Sequence, residues 1–154
     1  MKIALIRVGR GKTAWADAAT EDYSRRLSKK VGFEEILLRP AKFHGDEDAV
    51  RREEGSRILA LVRPGDRLIA LDERGDLLRT DQMATLVQQA ASASTRRIVF
   101  GIGGPYGHAP EVRKAAFRTV ALSGMVMNHE LARVVIVEQL YRVSTLLWGG
   151  KYHH

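Results

Sequence analysis

Two segments in the C-terminal half of the chain combine glycine with small polar residues in a way that suits the binding of a flat ligand. Residues 101–107 contain four glycines in seven positions. Glycine takes positive φ readily and lets a ligand approach the backbone, and a tight turn alone needs only one or two. Residues 122–130 mix small, apolar and polar side chains without helical or strand spacing. With residues 71–75, which follow a predicted strand, these segments form a candidate small-molecule site.

Better-known motifs do not fit this chain. Gly11, Lys12 and Thr13 resemble the end of a phosphate-binding P-loop, but the glycine required five residues before Gly11 is Ile6. The dinucleotide fingerprint, begun at Gly101 or at Gly104, requires glycine where Tyr106 stands. The histidines lack the helical i, i+4 pairing of zinc proteases. A Ser/His/Asp set cannot be read from order along a chain, because such partners meet in space.

Alternating strand and helix patterns predict the elements that position these segments. Apolar, β-rich runs predict strands at 3–8, 33–38, 67–71, 97–102 and 119–122. Helical periodicity and capping signals predict helices at 13–29, 46–61, 80–91, from 110, and at 131–147. The residues between the third strand and the third helix, 72–75, are predicted as a turn. This alternation predicts an α/β fold, a mostly parallel sheet flanked by helices, in a single domain over residues 1–154.

The fourth predicted strand indicates where the glycine-rich segment lies in the fold. Its run of Ile98, Val99 and Phe100 is apolar without alternation, which is typical of a strand buried on both faces of a parallel sheet. The glycine-rich segment then lies at the carboxyl end of a strand, where open α/β sheets bind ligands.

Two helices carry further information. In the first, Thr13 is a predicted N-cap, and Trp15, Ala19, Tyr23 and Leu27 repeat on a face that we expect to be buried. The last helix is apolar over more than one face, so we expect burial on more than one side. That pattern favours a second subunit as its cover, and a central core helix in a monomer is the alternative.

Amino-acid composition limits the kinds of partner and the cellular compartment that we expect for this protein. The chain has 25 Lys and Arg against 18 Asp and Glu, a formal charge of +7 and a pI near 10.0. A basic surface favours a polyanionic partner such as nucleic acid, and charge that serves only solubility is the alternative. Absence of cysteine excludes disulfides and thiolate metal sites. The apolar N-terminus is too short for a signal peptide, and no run reaches the roughly 20 apolar residues of a membrane span. We therefore expect a cytoplasmic protein that does not enter membranes.

A series of short motifs runs through the whole chain. It comprises Met1-Lys2-Ile3 with Val8-Gly9, Leu71-Asp72-x-x-Gly75, Ile102-Gly103-Gly104-Pro105-x-Gly107, Leu122-Ser123-x-Met125, His129 with Arg133, Glu138-Gln139-Leu140-Tyr141-Arg142, and Tyr152-His153. In order and spacing this series resembles the ribosomal RNA large-subunit methyltransferase H family of the SPOUT superfamily. Three features depart from the family pattern: Asn128 stands where many members have proline, Val126 stands where threonine is frequent, and His154 follows Tyr152-His153 where a basic residue is usual.

The resemblance implies a SPOUT-type fold with a deep C-terminal trefoil knot and a homodimer formed largely through the knotted region. It implies methyl transfer from S-adenosyl-L-methionine to N3 of a pseudouridine in large-subunit ribosomal RNA, within the assembled ribosome and without a metal. Carried onto this chain, the cofactor contacts fall on nine residues: Leu71, Gly103, Gly104, Leu122, Ser123, Gly124, Met125, Val126 and Met127.

The RNA-facing part of the site is assigned, as a hypothesis, to Arg142, Tyr152 and His153. A uridine-type N3 carries a proton that must leave before or during attack. His153 is the candidate acceptor of that proton, Tyr152 is placed to stack on the base, and Arg142 to hold a phosphate or stabilise a uracil anion. A frayed tail is the alternative interpretation. His129 and Arg133 fit structural roles equally well and are left out of the catalytic set.

Two other functions remain open at this point. One is a SPOUT-type methyltransferase that acts on tRNA, although the chain has no additional RNA-binding domain. The other is a ribosome-assembly factor that keeps the loops and transfers no methyl group.

Overall fold

The computed structural model describes residues 1–9 and 11–152. Five strands alternate with five helices: β1 (Lys2–Val8), α1 (Ala14–Ser28), β2 (Gly32–Leu38), α2 (Glu47–Leu61), β3 (Asp66–Leu77), α3 (Thr80–Ala90), β4 (Arg97–Ile102), α4 (Pro110–Ala115), β5 (Arg118–Ala121) and α5 (His129–Trp148). The strands form one sheet in the order β2-β1-β4-β3-β5, and every neighbouring pair is parallel. The predicted α/β class with a parallel sheet flanked by helices is confirmed. The knot remains a prediction.

Alternate residues of the central strands supply two hydrophobic cores. Ile3 and Leu5 of β1 point to the layer formed by α1, α3 and α5. Ala4 and Ile6 point to the opposite layer, where they pack with Ile58 of α2 and with α4. All six residues of β4 are buried, as its unbroken apolar run predicts for a strand covered on both faces.

The prediction of a turn at residues 72–75 was wrong. β3 continues to Leu77, and these four residues bulge out of its pairing with β5, so that Val120 pairs with both Leu71 and Asp76. A Cβ at Gly75 would lie 2.5 Å from the backbone nitrogen of Val120. The bulge therefore needs glycine here, and it carries Asp72 and Arg74 out of the sheet plane toward the edge where the strands end.

The predicted buried face of α1 is confirmed at Leu27, which is in the core, and at Tyr23, which packs against it, but is wrong at Trp15. Trp15 is 54% exposed, and the buried positions are Ala16, Thr20 and Leu27. Thr13 does occupy the N-cap position, but its side chain makes no capping bond. Its backbone N–H instead donates to Asp17 at 3.1 Å. Asp17 also pairs with Arg133 of α5, and that ion pair is invisible to hydrophobic periodicity.

Helix α5 begins two residues earlier than predicted, because Asn128 caps it by accepting a 2.7 Å hydrogen bond from the Glu130 N–H. Its inner face packs on α1, α3 and the sheet. Leu131, Leu146 and Trp148 remain exposed on the other side. Within the described parts of the chain, no helix is both long and apolar enough to cross a membrane.

Candidate active site

The carboxyl ends of β3 and β4 and the segment after β5 surround a cavity of about 550 Å³. This is the edge of a parallel sheet where α/β proteins bind ligands. The three segments singled out in the sequence meet here, although they are separated by up to fifty residues in the chain. The lining consists of Leu71, Asp72, Glu73, Arg74, Ile102, Gly103, Gly104, Pro105, Tyr106, Gly107, Leu122, Ser123, Met125, Val126, Met127, His129 and Ala132, with Glu47 and Arg51 from α2.

The structure brings together eight of the nine residues carried over as cofactor contacts. Gly124 is the exception, because it does not line the cavity. A Cβ at Gly124 would meet only the side chain of Leu77, at 3.9 Å. In the same segment Ser123 accepts a hydrogen bond from the Met125 N–H at 3.0 Å, while Met125 and Val126 are the most exposed large apolar side chains.

Glycines shape the wall formed after β4. A Cβ at Gly103 would lie 2.9 Å from the carbonyl carbon of Gly107, so the turn can close only without a side chain there. Gly107 has φ +78° and donates its N–H to the Gly104 carbonyl at 2.9 Å. The glycines are thus required by the packing of the loop on itself, and the wall that results is bare backbone.

Glu54 of α2 lies beneath this loop. Its side chain is buried, and Oε1 lies 2.5 Å from the position of a Cβ on Gly104. Oε2 accepts a hydrogen bond from the Ala41 N–H at 3.2 Å, whereas Oε1 has no partner among the residues that the structure describes. Burial raises the pKa of this carboxyl, since the single backbone hydrogen bond compensates only part of the desolvation.

The pKa of Asp72 is shifted in the opposite direction from that of Glu54. Burial works against its ionisation, yet hydrogen bonds from the side chain and backbone of Arg74 outweigh it and lower the pKa of Asp72 to about 2. The carboxylate accepts from the Arg74 N–H at 2.9 Å and from its Nε and Nη2 at 2.9 and 3.1 Å. Arg113 approaches to 3.6 Å. The permanent charge of Asp72 therefore holds the half-exposed guanidinium of Arg74 at the cavity rim.

His108 supports the glycine loop from behind. It is buried, and Nε2 lies 2.9 Å from the Gly101 carbonyl oxygen. Burial lowers the pKa of His108, and the imidazole is neutral and donates to that carbonyl. Sequence reasoning did not single out this histidine, because a lone histidine after a glycine-rich turn has no distinguishing pattern.

A buried network of charges fixes the start of α5, where His129 and Ala132 line the cavity. Nε of Arg133 lies 2.7 Å from Glu35, and its Nη1 lies 2.5 Å from Asp17 and 3.3 Å from Glu130. Arg7 also pairs with Glu35 and, at 3.2 Å, with Glu130. These ion pairs give Arg133 a structural role, because the network joins α1, β1, β2 and α5 at one point.

Arg142 and Tyr152 do not reach the cavity of their own chain. Arg142 pairs with Glu138, and its guanidinium lies 4.7 Å from the ring centroid of Tyr152. The Tyr152 hydroxyl is 3.1 Å from that of Tyr23. His129 is thirteen residues before Arg142, which is about 20 Å along a helix. His153 lies outside the described residues.

The tail tyrosine is a poor proton acceptor. The hydrogen bond with Tyr23, together with desolvation, raises the pKa of Tyr152 to about 12. Its phenol therefore stays protonated at neutral pH, which leaves it able to stack or to donate a hydrogen bond.

Several cavity residues were absent from the sequence-based set: Glu47, Asp72, Arg74, Arg51, Tyr106 and His129. Glu47 and Arg51 come from α2, far away in the chain, so only the tertiary fold shows that they belong here. Arg51 donates to the Tyr106 carbonyl at 3.1 Å and so ties α2 to the glycine loop. Asp72 and Arg74 were within a segment already singled out, and their i, i+2 spacing just before Gly75 was the available signal.

Comparison with known proteins agrees with this geometry. A family model described as "Predicted SPOUT methyltransferase" matches residues 1–153. A Porphyromonas gingivalis protein named ribosomal RNA large subunit methyltransferase H is 38% identical over 156 residues, covering 100% of this chain and 99% of the relative. Proteins of the same name from Geobacter sp. and Parabacteroides distasonis are 33% and 35% identical, again over 100% of this chain and 99% of each relative. The chain therefore belongs to the SPOUT methyltransferase family, among the ribosomal RNA large subunit methyltransferase H proteins.

Proposed function

We propose that this protein transfers a methyl group from S-adenosyl-L-methionine to N3 of a pseudouridine in large-subunit ribosomal RNA. The observation that carries the proposal is the convergence of three segments, one of them glycine-rich, on one cavity at the carboxyl edge of the sheet. The relatives' names support ribosomal RNA as the methyl acceptor, and the charge of +7 suits a polyanion.

The residues present fit the cofactor. The volume of about 550 Å³ lies within the usual range for small-molecule sites. Leu71, Ile102 and Leu122 supply apolar contact for a flat base, and the backbone of residues 103–107 presents N–H and C=O groups at the wall. Glu47 and Glu73 place negative charge at a rim that would face a cationic sulfonium and ammonium. When bound, this cofactor supplies an electrophilic methyl group for in-line displacement.

The chain's own contribution is then alignment. The loops hold the donor while Arg74, fixed by Asp72, is placed to bind a phosphate of the RNA. Arg51 pairs with Glu47 and Asp48 and holds the glycine loop through the Tyr106 carbonyl. Alignment of two reactants can contribute roughly 7–11 kcal/mol in favourable cases. A positioned base for the N3 proton adds typically about 10²–10⁴-fold.

A second protomer completes the site in this proposal. Arg142 and Tyr152 do not line the cavity of their own chain, and Arg142 lies thirteen residues, about 20 Å along α5, beyond His129 at the cavity. In a two-fold dimer that pairs α5 helices in opposite directions, each tail reaches the partner's cavity. The exposed Leu131, Leu146 and Trp148 supply apolar surface for that interface. His153 is then the proposed proton acceptor, since Tyr152 stays protonated.

Labelled S-adenosyl-L-methionine tests the proposal directly. The purified protein is incubated with ribosomal particles from cells that lack this methyltransferase, and separately with tRNA. Label at N3 of a pseudouridine in large-subunit RNA is the expected result. Label only in tRNA would assign another SPOUT activity, and no label anywhere would assign an assembly role. Calorimetry with the cofactor and its demethylated product checks binding independently of transfer.

A further inference from the structure

A second cavity lies beside the proposed cofactor site. Its volume is about 900 Å³, and Pro105 and Tyr106 line both cavities. The rest of its wall comes from Gly9 and Gly11 after β1, from Leu37 in β2 and residues 39–44 after it, and from Val50 and Glu54 of α2. Nothing in the proposed methyl transfer uses this space, although it shares the wall at Pro105 and Tyr106 with the proposed cofactor cavity.

The wall of this cavity presents aromatic surface to solvent. Phe43 is 55% exposed, and its ring centroid lies 5.9 Å from that of Tyr106, with the planes tilted by 38°. The two rings form an open wedge. Unpaired bases of RNA stack on exposed rings of this kind.

The rim is cationic. Arg39, Lys42 and His44 lie within six residues on the same segment. In the described part of the chain, neither Arg39 nor Lys42 forms an ion pair with a carboxylate, in contrast to most arginines of the protein. Free cations next to exposed aromatic rings complement a nucleotide, which carries both a phosphate and a π face.

Residues 39–44 are held in place before any ligand binds. The Ala41 N–H donates to the buried Glu54 at 3.2 Å, and Arg57 donates to the Arg39 carbonyl at 2.9 Å. Both partners are on α2. The segment is a pre-organised surface, so little ordering entropy opposes binding there.

We propose that this second cavity binds an unpaired nucleotide flanking the methylated base, with its base against Phe43 and Tyr106 and its phosphate against Arg39 and Lys42. The inference rests on the proposed function, because the flanking nucleotide belongs to the same ribosomal RNA strand. The shared wall at Pro105 and Tyr106 then separates two neighbouring nucleotides, one presented to the cofactor and one held on the aromatic wedge.

Substitution of Phe43 tests the stacking contact. We expect Phe43→Leu to raise the KM for ribosomal particles about ten-fold, with kcat and cofactor affinity unchanged, and Phe43→Trp to restore the wild-type KM. Phe117→Leu is the matched control. Phe117 is also an exposed phenylalanine, but it precedes β5 and lies over Arg67, at the opposite edge of the sheet. A KM for Phe43→Leu equal to that of wild type or of Phe117→Leu overturns the inference, as does weaker cofactor binding.

Two further measurements separate RNA from other partners. We expect Lys42→Ala to reduce the slope of log binding constant against log salt concentration by about 0.7, the value for one phosphate contact to a single strand; an unchanged slope overturns the phosphate contact. A photoreactive phenylalanine analogue incorporated at Phe43 is expected to crosslink to ribosomal RNA next to the methylated base. A crosslink to a ribosomal protein instead overturns the inference.

The results also distinguish failure of this inference from failure of the proposed function. Failure of the wild-type protein to label ribosomal RNA rejects the proposed function itself. Normal labelling together with an unaffected Phe43→Leu rejects only the role of the second cavity.

Discussion

Glu54 on α2 lies directly under Gly104 of the glycine loop, with Oε1 2.5 Å from the position that a Cβ would take. No such clash exists at Gly124, which belongs to the third cavity segment but does not line the cavity. Replacement by alanine should therefore destabilise the protein at Gly104 but not at Gly124.

We expect Gly104→Ala to destabilise the protein by about 1–3 kcal/mol, because the added carbon overpacks a buried site. The displaced loop should also weaken cofactor binding at least about ten-fold. Gly124→Ala is the control and should leave both quantities close to wild type. Calorimetry measures the affinity for the cofactor, and urea unfolding measures the free energy of unfolding. Equal behaviour of the two variants would show that the loop adapts and that Glu54 does not constrain it.

Asp72→Asn should remove an electrostatic support of Arg74. Because the folded pKa of Asp72, about 2, lies below its unfolded value, the ionised carboxylate stabilises the fold fully above about pH 5, and this contribution is lost as the pH falls toward 2. At pH 7 the loss amounts to about 2 kcal/mol.

Urea unfolding of wild type and Asp72→Asn at several pH values measures this. The difference in free energy of unfolding should shrink as the pH falls below about 4. Asp76→Asn is a suitable control, since Asp76 lies in the same strand and its ion pair with Arg118 is more than half exposed, so its effect should stay within about 0.5 kcal/mol.

Glu54→Gln should alter the pH dependence in the opposite direction. Burial raises the folded pKa of Glu54 above its unfolded value, so the stability that its protonated form contributes is lost as the pH rises through the folded pKa. The amide cannot ionise, and the variant should therefore gain stability relative to wild type as the pH rises from the unfolded value, about 4, through the raised folded pKa. Thermal unfolding across that range measures the trend, with Glu111→Gln on the exposed first turn of α4 as the control. A constant difference across the range contradicts the assignment.

Arg133→Met should be strongly destabilising. Removal of the guanidinium leaves Glu35, Glu130 and Asp17 close together with only Arg7 to compensate, and breaking a buried pair in this way typically costs about 3–5 kcal/mol. Arg118→Met breaks a pair of which both members are more than half exposed, and should cost less than about 1 kcal/mol. Chemical denaturation compares them. A small effect at Arg133 would show that the cluster is relaxed by water.

Deletion of residues 152–154 should abolish methylation and leave cofactor affinity unchanged, because Tyr152 lies far from the cavity of its own chain. Mixing this deleted chain with Gly104→Ala should restore activity to about a quarter of wild type. Half of the dimers are then mixed, and each mixed dimer has one complete site of two. Labelled cofactor and ribosomal particles provide the assay. Methylation by the deleted chain alone, or no recovery on mixing, would contradict a site shared between protomers.

Much of the fold was predictable from local pattern. Strand β4 was predicted with its observed bounds, since an unbroken apolar run such as Ile98 to Phe100 has few other interpretations. The bulge at residues 72–75 was not, because Asp72, Arg74 and Gly75 have the composition of a turn and only the backbone of β5 shows that they remain in a strand. Trp15 was wrongly expected to be buried because only apolar spacing was available along α1. Contacts between distant segments, such as the ion pair of Asp17 and Arg133 across 116 residues, do not show in that spacing.

The candidate site likewise contains residues that the sequence predicts and residues that only the fold reveals. Glycine-rich segments were recognisable because an unusual residue type is concentrated over a few positions, as at Gly103 and Gly104. Arg51 and Glu54 were not recognisable, since they stand among many charged residues of α2 and only tertiary contact distinguishes them. Sequence order also placed Arg142 and Tyr152 in the same half of the chain as the cofactor segments, whereas the length of α5 separates them.

That length has a consequence for how activity responds to dilution. With the cavity at the first turn of α5 and the tail beyond its last, a lone protomer is able to hold cofactor but, in the proposed dimer, lacks the tail residues that its partner would bring to the cavity. Specific activity should therefore fall as the enzyme is diluted below its dimer dissociation constant, while cofactor binding per chain stays the same. The cell would then set methylation capacity through the square of the protomer concentration at low abundance, and in direct proportion to it once dimers predominate.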